Sequence, residues 1–159
     1  MAETTKPAPK AAARRSTAKD ESSGAFTAEE KAAMRERAKE VRAAKRGTKA
    51  DPEAEVLARI AEMGASDRAM AERVHAVVTT TAPDLVPRTW YGMPAYAKDG
   101  KVLCFFQGAG KFKARYATLG FNDPATLDDG PMWATAFALT EVTPAVEKRI
   151  AALVRQAVG

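Results

Sequence analysis

The stretch W90-YGMPAYAKDGKVLC-FF106 decides the fold, because its apolar residues alternate at a spacing of two around a central turn. It holds five of the eleven aromatic residues and the single cysteine. Asp99-Gly100 lies between Ala95–Ala97 and Val102–Phe106, the dipeptide that best accepts the positive backbone angles of a two-residue hairpin turn. The second arm is apolar on both faces, with Val102, Cys104 and Phe106 on one and Leu103 and Phe105 on the other. Such a strand is expected at the middle of a sheet, with something covering each face.

Two further strands are expected downstream, over 115–121 and 133–139. In the second, Ala134, Ala136 and Ala138 form a face with almost no side chain, on which close packing of a helix is expected. Upstream the period is helical. Thr27 and Glu30 have capping-box spacing and open a charged helix that ends at Gly47. Its apolar stripe, Met34, Ala38 and Val41, is too narrow to dock firmly on a core. Asp51 and Pro52 open a second helix whose buried face is Val56, Leu57, Ile60 and Met63, and Gly64 stops it. Ser66 is expected to cap a third helix carrying Met70, Val74, Val77 and Val78, which ends in the proline-bearing TAPDLVP. Thr143 and Pro144 open a last helix with Val146, Ile150, Leu153 and Val154 on one face. Strands gathered between helices predict an α+β domain over 51–159: an antiparallel sheet of about four strands with helices on one face. A charged helix over 26–50 and a disordered basic tail over 1–25 precede it.

The net charge of +5 belongs to the first third, since residues 1–50 carry 13 Lys and Arg against 7 Asp and Glu. Lys6, Lys10, Arg14, Arg15 and Lys19, spaced by Ala and Pro, form an arm suited to neutralising phosphates without reading sequence. No aromatic residue is interleaved to stack bases, so a solubilising tail fits the same residues. No apolar run approaches the ~20 residues of a membrane span, and the start of the chain lacks the apolar centre of a secretory signal. A lone cysteine fits a reducing compartment, so a cytoplasmic location is expected.

Chemistry is sparse. His75 is the only histidine, and Cys104 lies in the most hydrophobic strand, where a thiol is ordinarily inert. Gly108, Gly110, Lys111, Lys113 and Arg115 in GAGKFKAR lack phosphate-loop spacing but offer a cationic lip for an anion or a partner's carboxylate. Trp90, Tyr91 and Tyr96 have polar tips of the kind found at the rim of a core, and Gly92 and Pro94 fix a bend among them. The candidate ligand site is therefore Trp90, Tyr91, Met93, Pro94 and Tyr96 with Lys111 and Lys113. Asp123, Asp128 and Asp129, with Glu141 and Glu147 beyond, supply hard oxygen ligands for a metal, although Asn, Pro and Gly neighbours suit those aspartates to turns.

In WYGMPAYAKDGKVLCFF, KFKARYATLGF and the closing helix, the chain from about residue 53 onward resembles the YdhG-like domain family of unknown function. Tyr91, Gly92, Pro94 and Tyr96 match its most recognisable element. The resemblance implies a small α+β fold and, because some members are described as frataxin-like intracellular iron chaperones, iron as a cargo. A non-enzymatic module binding a small ligand or protein partner is the leading expectation. Iron delivery, and nucleic-acid association through the basic arm, are its rivals.

Overall fold

A computed structural model describes residues 26–46 and 51–159. The basic arm residues Lys6, Lys10, Arg14, Arg15 and Lys19, and the disordered tail expected around them, lie outside the described residues. The elements run α1 (Ala28–Arg46), α2 (Pro52–Ala61), α3 (Ala65–Thr81), β1 (Val86–Trp90), β2 (Met93–Lys98), β3 (Lys101–Gln107), β4 (Ala117–Phe121), β5 (Ala136–Leu139) and α4 (Pro144–Val158). The strands form one antiparallel sheet in sequence order, β1-β2-β3-β4-β5. The chain is thus α+β, and β3 is the central strand. The cover expected on both its faces is found on one only. Leu103, expected beside Phe105 on the second face, joins Cys104 and Phe106 in the core where the β2–β3 register shifts.

The helix starts follow the sequence. Thr27 and Glu30 make both bonds of the capping box: the Thr27 N–H donates to Glu30 Oε2 at 2.8 Å and the Glu30 N–H donates to Thr27 Oγ1 at 3.2 Å. Asp51 caps α2 by accepting from the Glu53 N–H, and Thr143 caps α4 by accepting from the Val146 N–H. The third helix differs. It starts one residue before Ser66, with Gly64 at the cap and no side chain bonded there. Leu57 is 47 % exposed rather than buried, because α2 turns Val56 and Ile60 inward and leaves Leu57 on its outer flank.

The sheet has five strands rather than four. The extra one, VPRTW (86–90), contains Pro87, which reads as a helix stop. As the sheet edge, β1 has no neighbour on its outer side, so a missing backbone donor is tolerated there. The strands expected over 115–121 and 133–139 shorten to Ala117–Phe121 and Ala136–Leu139. Two two-residue turns join the first three strands: Tyr91-Gly92 with φ of 52° and 73°, and Asp99-Gly100 with φ of 50° and 79°.

The core lies between one face of the sheet and three helices. Tyr96, Cys104, Phe106, Leu119, Phe121 and Leu139 pack against Val56 and Ile60 of α2, Met70, Val74 and Val78 of α3, and Ile150 and Val154 of α4. The other face is open. Arg88, Ala95, Phe105, Gly120 and Ala136 pair in one row across the five strands. Phe105 lies across Gly120 so closely that a Cβ there would sit 2.2 Å from the ring, and Trp90 tilts against Phe105 with ring centroids 5.2 Å apart. Ala134, Ala136 and Ala138 are exposed, so the helix expected over them is absent. All three buried helix faces are already spent on the opposite side.

Candidate functional site

The first two hairpin strands and the β3–β4 loop meet the helices at one end of the sheet, where a groove of about 420 Å³ opens. Glu36 of α1, Arg59 and Met63 of α2, Asp67 of α3, Met93 of β2 and Lys111 line it, with Gly92, Gly108 and Gly110 as bare backbone. Two glycine-bearing turns shape this end. In the first, Tyr91 and Gly92 both have positive φ, which points two successive backbone N–H groups the same way. The Tyr91 N–H donates to Glu40 Oε2 at 3.2 Å and the Gly92 N–H donates to Glu40 Oε1 at 3.0 Å, so one carboxylate fills the pair. In the second, the Ala109 and Gly110 N–H groups donate to Asp67 Oδ1 and Oδ2 at 3.0 and 2.8 Å. Asp67 is a buried charged residue, and its carboxylate is satisfied by the loop it fastens.

Glycine is favoured at position 92 by its backbone, whose φ is left-handed. A Cβ there would also meet Lys111 Nζ at 2.8 Å and make Lys111 give way. Tyr91 adopts a left-handed conformation without that freedom, at a cost of about 1–2 kcal/mol. Arg37 stands over its ring, 5.7 Å from the centroid, and bonds Glu40 at 3.3 Å. Lys111 Nζ lies 3.4 Å from the Tyr91 carbonyl oxygen. Burial lowers the pKa of the Lys111 amine, the nearby Arg59 lowers it further, and Glu36 and Glu40 oppose this only in part. Glu36 pairs with both Arg59 and Lys39. Burial pushes the Glu36 carboxyl up, but Lys39 and Arg59 together outweigh it and hold the group below its ordinary value.

The residues picked from sequence divide sharply. Met93 and Lys111 line this groove. Tyr91 borders it only through its carbonyl, which Lys111 reaches, while the residue itself lines the hollow beside Met34 and Val41. Lys113 points to α1 instead, 3.4 Å from Glu29. Trp90 belongs to the open sheet face. Pro94 and Tyr96 are core residues and do not reach the groove, because the alternation of β2 carries them inward.

The Tyr96 hydroxyl finds its partner within the core. It lies 3.0 Å from His75 Nδ1, and His75 Nε2 lies 3.1 Å from Glu53 Oε1. A neutral ring satisfies all three groups when the hydroxyl donates to Nδ1 and Nε2–H donates to Glu53. Burial, Cys104 and Glu53 all oppose ionisation of Tyr96, and burial pushes the Cys104 thiol up to about 12. Cys104 therefore has the character of an inert core thiol, and the Tyr96–His75–Glu53 chain closes a polar path from core to surface.

Asp123, Asp128 and Asp129 are exposed, and among the described residues no three His, Cys, Asp or Glu side chains gather where a metal ion could be held. Asp123 lies in a turn, and Asp128 and Asp129 lie in the loop that leads into the turn at Gly130. Among the described residues, no helix is long and apolar enough to cross a membrane.

Sequence reading missed Glu36, Glu40, Arg59, Met63 and Asp67. The signal for two of them was present but ambiguous. Glu29, Glu36 and Glu40 share one helical face, a pattern that ordinarily marks a solvated surface. No protein-family model, curated protein or solved structure matches this chain.

Proposed function

We propose that this chain is a small, non-catalytic binding module of the YdhG-like kind, acting in the cytoplasm through the groove at the Tyr91–Met93 end of its sheet. One observation carries the reading. A concave site of about 420 Å³ combines apolar side chains, Met63 and Met93, with convergent polar groups, Arg59, Lys111 and exposed backbone. The element that prompts the YdhG-like resemblance builds this site: Tyr91-Gly92 makes the turn and Met93 supplies the floor, while Pro94 and Tyr96 anchor the strand behind it. The buried, unpaired Cys104 supports a reducing compartment.

The test is a neutral-fragment screen by NMR on the labelled full chain, read at the amides of Met63, Met93, Gly108 and Lys111. Shifts are expected to cluster there and to weaken in Met63→Ala and Lys111→Ala. Fragments that shift only the open sheet face, or residues scattered over the surface, would overturn the assignment.

A further inference from the structure

Helix α1 docks in an unusual way. Of its side chains described, only Ala33 is buried, while Met34, Ala38 and Val41 line a shallow outward hollow beside Tyr91. The apolar stripe, read from sequence as too narrow to dock firmly, is exposed. What meets the body is acid. Glu29 pairs with Lys113, Glu36 with Arg59, and Glu40 fills the paired N–H groups of Tyr91 and Gly92. These three carboxylates lie at i, i+7 and i+11 on one helical face. The body answers with two cationic side chains and a backbone turn whose conformation is strained at Tyr91.

We propose that the Tyr91-Gly92 turn, with Arg59 and Lys113, is a recognition site for an acidic helix of a partner protein, and that α1 fills this site in cis until such a partner displaces it. The proposal rests on the groove reading above and extends it to the adjoining face that α1 covers. Charge complementarity selects the occupant. Two converging N–H groups and a guanidinium reward carboxylates four residues apart on a helix, repel a basic segment and are left unpaired by an apolar one. The small residues Ala32 and Ala33 between the Glu29 and Glu36 positions let a helix backbone approach closely. A neutral residue at position 36 or 40 removes the charge from these hydrogen bonds, which gives the site its selectivity. Because α1 is tethered, a partner competes against an effective concentration on the order of mM, so binding in trans is held low until α1 is released.

The experiment uses the full chain and a synthetic peptide of residues 28–46 with blocked ends. In the E36Q/E40Q chain, α1 should detach while the amide spectrum of α2–α4 and the sheet stays in place. The wild-type-sequence peptide should then bind this released chain, shifting the Tyr91 and Gly92 amides. It should bind the unaltered chain at least ~10-fold more weakly, because the tethered helix competes. A peptide carrying E36Q/E40Q should not bind, and raising salt from low to high should weaken the native peptide strongly. Retention of α1 in the E36Q/E40Q chain would overturn the proposal, as would a released chain that ignores the peptide. A stable dimer of the unaltered chain with α1 exchanged between copies would also overturn it, by assigning the site to a second copy. If the peptide fails while neutral fragments still bind at Met63 and Lys111, the acidic-helix assignment alone falls. If both fail, the groove reading falls with it.

Discussion

Helices α1 and α4 are of similar length, and they are held by opposite physics. The last helix buries Ile150, Val154 and Ala157 against α3 and the sheet, and its single ion pair to α3, Arg73–Glu147 at 2.8 Å, is on the surface. Of its described side chains the first helix buries one alanine, and it is held by carboxylates. Apolar burial is insensitive to salt and lost only with the core, whereas charge pairing near water is weak, screened and reversible. The same fold therefore carries one permanent helix and one that solution conditions can release. On that difference rests the proposal that the interaction surface lies at α1 rather than on the wider open face of the sheet.

The largest expected effect comes from attacking the permanent side. Phe106→Ala removes a fully buried ring from the centre of the core. It should cost about 3–5 kcal/mol in denaturant unfolding, taking α4 and the sheet together. Next is the open face: Gly120→Val forces a side chain into the Phe105 ring and should cost about 1–3 kcal/mol, with loss of the Trp90–Phe105 contact seen as a changed tryptophan emission. A smaller loss is expected from Tyr96→Phe, which leaves the half-buried His75 Nδ1 without its core partner and should cost about 1–2 kcal/mol. A chain unaffected by Tyr96→Phe would show the Tyr96–His75–Glu53 path to be incidental.

The smallest effect on global stability, and the most telling for the comparison, belongs to acid. Glu36 has its folded pKa held below the ordinary value, so its contribution is present above the unfolded value and lost as pH falls through the folded one. Acidification below about pH 4 should detach α1 while α2–α4 remain packed, a separation visible as two transitions rather than one. A single shared transition would mean that α1 belongs to the core after all.

The fold was largely legible because its signals are local. Alternation around Asp99-Gly100, the capping box at Thr27 and the N-cap at Thr143, and helical spacing in 70–78 and 146–154 each need only a few neighbouring residues. The errors arose where tertiary placement overrides local pattern. Pro87 marks a helix end in isolation, yet an edge strand accepts it. The alanines of β5 look like a helix-packing face, yet the helices had all gone to the opposite side. Half the candidate site was legible for the same reason: Tyr91, Met93 and Lys111 declared themselves by type. Tyr96 was misplaced because its polar tip points to the rim of a core, and only the structure reveals a histidine waiting inside. Glu36 and Glu40 were invisible because acidic residues on a charged helix read as solvated until the turn that receives them is known.

Amide hydrogen exchange on the full chain, compared at low and high salt, tests the central claim most directly. If charge alone seats the first helix, its amides and those of Tyr91 and Gly92 should exchange at least ~10-fold faster at high salt, while those of α4 hold steady. Equal protection of both helices at both salt concentrations would contradict it.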